Sequence, residues 1–384
     1  MNHLKIRTFD GIAIASLLIL PELFFTGFGK LVGQNHAAGW ITLLISFVIM
    51  LCLFLITASL MERYEGRNII EITSLAAGKS FSYIYGILLG LYFCYFTGIY
   101  TRECAEILKV YSLNLTPLYI IIGLIFFTAI MMNFLGGRSI VKSAGFFFLI
   151  TVAGIIFIIL LGINRYNPEN LAPLLGNGFP QIIKNSFFTS SIFDCVIILF
   201  LFAPAFSNTA KMKKTGILSL FISSAIFVIM YLCYNMMFSP VIGSTMISGF
   251  IEMGKSIYYN HFFYRFESIL LFFLIFSSVI QTVIGLFIVK ESISCTFNLN
   301  THDLNSPDLP ESRPASSKIL TVLCAVPALV FAFIPANILD LTQRYLPVIR
   351  QYSMFFIAGF PLLLLLICLL KNDHHNIRNK RGSL

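Results

Sequence analysis

The chain has 384 residues, of which 58% are hydrophobic and 11% charged, whereas ordinary soluble domains carry about 25% charged residues. So few polar side chains cannot clothe the outside of a water-soluble domain of this size, and the composition points to a chain whose solvent is lipid. The net charge of +9 comes from cations scattered singly between apolar runs, which suits membrane orientation and excludes a nucleic-acid surface, where they would gather into a patch.

Residues 1–8 form a short polar tail without the apolar core and small-residue cleavage site of a signal peptide, so the first apolar run is expected to be retained. Runs long enough to cross ~30 Å of hydrocarbon, about 20 helical residues, fall at 9–32, 40–61, 81–101, 117–135 and 140–162. Five more fall at 186–206, 216–238, 266–289, 318–335 and 351–370. Lipid-exposed backbone must bond internally and strand periodicity is absent, so the chain is predicted to be an all-α integral membrane protein of ten transmembrane helices. The segments 163–185 and 239–265 each have room for a short helix lying on the membrane. Residues 298–317, rich in Ser, Asn, Asp and Pro, read as a linker, and 371–384 as a basic tail. The whole of 1–384 is thus one polytopic membrane domain.

Ten crossings put both termini and every second loop on one side. That side holds 17 of the 26 Lys and Arg residues and the other side 9, so the positive-inside rule places both termini, the linker and the basic tail in the cytoplasm.

An ionisable group near the membrane midplane costs at least ~2.5–3.5 kcal/mol on insertion scales and is a functional candidate for that reason. Helix one carries Leu20-Pro21-Glu22-Leu23: Pro21 removes a backbone donor and disrupts the preceding turn, and an acid follows at once. Helix six carries Ser190-Ser191-Ile192-Phe193-Asp194 and ends at Ala203-Pro204. Counted at the ~1.5 Å helical rise, Glu22 and Asp194 lie about 20 and 18 Å above the inner face, so two candidate helix breaks meet at similar depth. Tyr92 and Tyr95, mid-way along helix three, are placed to reach the same region. Two carboxylates there favour a ligand bearing an amine, or a proton or cation. Arg102, Glu103, Glu106, Arg265 and Glu267 fall near outer helix ends, where snorkelling and local ion pairs are the expected roles. Catalysis finds no support: phosphate-loop, zinc-protease and nucleophile-elbow motifs are missing, the six histidines lie in tails or loops, and the eight cysteines show no metal spacing. Neither an enzyme, a cofactor nor a metal is expected.

Several stretches in order along the chain resemble the spore germination permeases, the B-type membrane subunits of nutrient germinant receptors. They are Thr8-Phe9-Asp10-Gly11-Ile12, Gly39-Trp40-Ile41-Thr42-Leu43, Ala77-Gly78-Lys79, Thr101-Arg102-Glu103-Cys104-Ala105-Glu106 and Thr116-Pro117, then Asn170-Leu171-Ala172-Pro173-Leu174-Leu175-Gly176-Asn177-Gly178 and Tyr264-Arg265-Phe266-Glu267-Ser268. That family in turn resembles the amino acid/polyamine/organocation transporters. The resemblance implies a five-plus-five inverted repeat with helices one and six broken at a central site. It also implies a small germinant as ligand, A-type and C-type (lipoprotein) receptor subunits as partners, and the spore inner membrane as location. Matching from Thr8 and Gly39 places the G-x-G stretch that the break in helix one of such transporters usually carries near Pro21-Glu22-Leu23. Pro21 cannot donate an N–H and Glu22 repels a carboxylate, which argues against an ordinary amino-acid carboxylate on helix one. A proton- or cation-coupled transporter of amino acids or amines, and a membrane scaffold or ion conduit, are the competing functions. Cysteine-accessibility labelling should find positions 213 and 378 cytoplasmic and positions 170 and 258 on the opposite side, and the reverse pattern would overturn the assigned topology.

Overall fold

A computed structural model describes residues 5–172, 176, 178–257, 266–299 and 315–370. The C-terminal tail and most of the linker lie outside the described residues, and positions 315–317 of the expected linker already belong to a helix. The described residues are mostly helical, with no strand among them.

The first half opens with Thr8–Ile19 (α1), which gives way at Pro21 to a tight turn of 3₁₀ form over Leu20–Leu23 and resumes as Gly27–Asn35 (α2). Gly39–Arg63 (α3) follows, then the short Ile69–Ala76 (α4). Asn68 starts α4 by accepting from the Glu71 N–H at 2.8 Å while its amide donates back to Glu71 Oε1 at 3.1 Å, a reciprocal cap. Lys79–Tyr111 (α5), Leu118–Leu135 (α6) and Gly137–Gly162 (α7) complete this half.

The second half repeats the order. Phe179–Thr189 (α8) passes into an eight-residue 3₁₀ stretch, Ser190–Ile197, and on to Ile198–Leu201 (α9). Thr209–Met237 (α10) is long, Pro240–Gly243 (α11) and Gly249–Ser256 (α12) are short, and Phe266–Phe297 (α13) and Ala315–Phe333 (α14) are long. The last helix is segmented into Ile338–Asp340 (α15), Leu346–Met354 (α16) and Phe360–Leu370 (α17), joined by wide π turns at Leu341–Tyr345 and Phe355–Gly359. Packing follows the same symmetry: α1 lies on α10, while α8 and its 3₁₀ continuation lie on α3. The broken element of each half therefore packs on the long second helix of the other, as a two-fold relation between halves requires.

Among the described residues, eight helices are long and apolar enough to cross a membrane, against the ten expected. The expected spans 9–32 and 351–370 consist of shorter pieces; α1, for example, has 12 residues. Other ends also shift, with α5 running on to Tyr111 and α8 beginning at Phe179. The segment 239–265 does hold short helices, but α12 buries Phe250, Ile251 and Met253 and packs on α10 and α13 rather than lying free on the surface.

Lipid gives apolar helices no reason to prefer one another, so close approach and polar ties must hold the bundle. The α5–α13 crossing shows both. A Cβ on Gly86 would fall 1.9 Å from Thr296 Oγ1, and one on Gly285 would fall 2.2 Å from Thr97 Oγ1, so hydrogen at these two positions is what lets the helices touch. Thr101 and Thr282 share a hydroxyl hydrogen bond of 2.9 Å, and Asn133 of α6 donates to the Val283 carbonyl at 3.0 Å.

Breaking helix one frees backbone groups that water cannot reach, and neighbours satisfy them. Gln281 of α13 donates to the Leu18 carbonyl at 3.2 Å, and Ser248, just ahead of α12, donates to the Phe24 carbonyl at 2.6 Å. Two outcomes test this packing by thermal melting of the purified protein. Gly285→Val should cost about 1–3 kcal/mol through overpacking, whereas Gly123→Ala, where a Cβ meets nothing within 4 Å, should cost nothing. Gln281→Leu should cost about 1–3 kcal/mol, because it strands a buried carbonyl.

Candidate ligand site at the helix breaks

Tyr92, Phe96, Tyr100 and Glu103 recur at helical spacing and so share one face of α5. That face serves both breaks. The Tyr92 hydroxyl donates to Asp194 Oδ2 in the 3₁₀ stretch of helix six. Two turns on, about 12 Å along the axis, the Tyr100 hydroxyl donates to Glu22 Oε1 at 2.5 Å in the turn of helix one. Phe96 fills the interval, its ring 4.5 Å from that of Tyr100 and 6.4 Å from that of Tyr92. One further turn along, Glu103 Oε1 accepts from the Thr26 N–H at 3.0 Å and from the Thr26 hydroxyl at 2.5 Å. All three acids are enclosed, with Glu22 6%, Asp194 2% and Glu103 1% exposed.

A cation completes the cluster. Arg350 of α16 places Nη2 3.9 Å from Glu22 Oε2. It also lies so close to the start of α2 that a Cβ on Gly27 would sit 3.1 Å from the same nitrogen. Glu22 Oε2 and Arg350 Nε are both enclosed without a hydrogen-bond partner. Beside them opens a cavity of about 190 Å³, lined by Lys30 and Gln34 of α2, Phe188 and Thr189 of α8, and Pro347, Arg350 and Gln351 of α16.

Of the residues singled out in the sequence, Glu22, Asp194 and Tyr92 meet through α5, and Pro21 ends α1 as expected. Leu20 and Leu23 are packed into the core. Ser190 and Ser191 spend their hydroxyls on their own helix, donating to the Phe187 and Phe188 carbonyls at 2.7 Å each. Tyr95 turns elsewhere and donates to the Tyr345 carbonyl at 3.0 Å.

Three further residues of the cluster, Tyr100, Glu103 and Arg350, carried a weaker signal. Ending helix three at 101 hid the Tyr92-to-Glu103 face, and the expectation that Glu103 snorkels at a helix end is corrected by its burial. Arg102 and Glu106 do form the expected local ion pair, at 2.7 Å, but buried rather than snorkelling; Arg102 also donates to the Ala332 and Ala336 carbonyls around the end of α14. A Gly-x-Gly sequence, Gly27-Phe28-Gly29, does occur in helix one, but at the start of α2, beyond the Pro21-Glu22-Leu23 turn.

In sequence and fold the chain is similar to known proteins. The family described as Spore germination protein matches residues 5–340. Spore germination protein A2 of Bacillus subtilis (strain 168) is 30% identical over 315 residues, covering 78% of this chain and 82% of its own. Among solved structures, a Na⁺-coupled sialic acid symporter in a substrate-bound outward-open state superposes with a TM-score of 0.67 at 11% identity, over 92% of this chain and 77% of that one. Mhp1, a nucleobase-cation-symport-1 family transporter in a closed conformation with bromovinylhydantoin bound, gives 0.62 at 14% identity, over 94% and 80%. These likenesses show the fold, and the resemblance read from the motifs is borne out. The chain is an integral membrane protein with a transporter fold, and it belongs to the spore germination protein family.

Proposed function

We propose that this chain is the ligand-binding membrane subunit of a nutrient germinant receptor, and that a small germinant settles between the breaks of helices one and six. One observation carries the reading: a single face of α5 holds an acid from each break, Asp194 through Tyr92 and Glu22 through Tyr100. A ligand that moves either half-helix breaks that half-helix's bond to α5 while the other's stays made, and such a difference in contacts between states is what a two-state sensor needs. Arg350 beside Glu22 narrows the ligand class. A cavity bordered by Arg350 and Lys30, with Glu22 3.9 Å behind the guanidinium, suits a small zwitterion, its acid group toward Arg350 and Lys30 and its ammonium group toward the carboxylate of Glu22. On this reading the A-type and C-type subunits read out the change, the protein sits in the spore inner membrane, and both termini face the cytoplasm. A cation-coupled amino acid or amine transporter is the second reading, favoured by the presence of three enclosed acids.

Glu22→Gln and Asp194→Asn keep shape and remove charge, and Arg350→Gln removes the guanidinium while keeping a polar side chain. Losing a hydrogen bond to a charged group costs about 1.5–3 kcal/mol, so each variant should reach the membrane yet need at least about 10-fold more amino-acid germinant for half-maximal germination. Wild-type sensitivity in all three would refute the site. Accumulation of labelled amino acid by proteoliposomes under a proton or sodium gradient would select the transporter reading.

A further inference from the structure

A helix start is a natural anion site, because its first N–H groups lack partners within the helix and the dipole favours negative charge. Broken helices of transporter folds aim such starts at anionic groups of their substrates. In this chain the start of α2 already has an anion-type partner. Thr26, the residue preceding α2, does not cap the helix with its own side chain. Its N–H and its hydroxyl both donate to one oxygen of Glu103, a residue 77 positions away on α5. The second oxygen, Glu103 Oε2, is enclosed in the same place without a hydrogen-bond partner. Burying a carboxyl group is costly, and this one is brought from another helix to meet two donors at a half-helix end.

We propose that Glu103 is a built-in occupant of the anion position on helix one, and so a specificity-determining residue. It stands where a ligand carboxylate would dock, satisfies the donors that would receive it, and repels a second negative charge. A ligand's acid group is thereby directed to Arg350 and Lys30, which border the cavity beside the break. Where the ligand's acid group goes rests on the functional reading above, but the occupancy of the helix start by Glu103 does not.

Chemical rescue tests it on the full-length protein in detergent, with formate as the probe. Glu103→Ala empties the position, so its melting temperature should fall below wild type and recover by about 2 °C or more in sodium formate relative to equimolar sodium chloride. Wild type and Glu103→Gln, whose position remains filled, should show no formate-specific shift. An equal formate shift in wild type, or none in a folded Glu103→Ala, overturns the proposal. If Glu103→Ala does not accumulate with or without formate, Glu103→Gln decides. It keeps an acceptor for Thr26 and loses the charge, so it should melt about 2 °C or more below wild type at low salt, and equal melting overturns the proposal. Because the readout is stability with formate, failure here is distinct from failure of the germinant site, which is read as spore sensitivity.

Discussion

Backbone polar groups in a membrane interior must find partners within the protein, and a helix interrupted at mid-depth creates groups that its own turns cannot satisfy. The rest of this structure is organised around that demand. At the break of helix one, the freed carbonyls of Leu18 and Phe24 are met by Gln281 of α13 and by Ser248 ahead of α12, and the N–H of Thr26 is met by Glu103 of α5. Three separate parts of the chain are therefore bound to the nine residues from Leu18 to Thr26. The break is a junction rather than a gap, and whatever displaces it is felt by all three.

The helix that gains most from this arrangement is α5. It is tightly held against α13 by Gly86 and Gly285, and on another face it presents hydroxyls to the acids of both breaks. A rod with two such contacts ties the positions of helices one and six to each other, so neither can rearrange relative to α5 without giving up a hydrogen bond to a buried acid. Small differences in ligand contact can then be converted into a choice between packed arrangements, since such interiors change by discrete repacking rather than by smooth deformation.

Apolar run lengths located the long helices, and Pro21 and Glu22 located the first break, because both are consequences of local chemistry. The partners at the site were harder to read. Arg350 lies 328 positions beyond Glu22 in sequence, one residue before the expected span 351–370, and nothing local marks it as facing an acid. Glu103 reads as a charge at an ordinary helix end if helix three stops at 101, whereas α5 continues to Tyr111 and carries it into the interior. The serines of helix six show the opposite failure. Side-chain hydroxyls in a broken helix invite a ligand reading, yet Ser190 and Ser191 bond to carbonyls three residues back on their own chain, a local competition that residue type alone does not reveal.

Arg350 sits between the two wide turns of the last helix, Leu341–Tyr345 and Phe355–Gly359. A turn of this kind accommodates an additional residue in the helical ladder, and each residue advances the helix by about 100°. The direction in which the guanidinium points is therefore a matter of phase, set by where the extra residue is absorbed rather than by contacts of Arg350 itself. Migration of either wide turn past α16 would rotate the segment like a cam and swing the charge away from Glu22, with little translation of the helix axis.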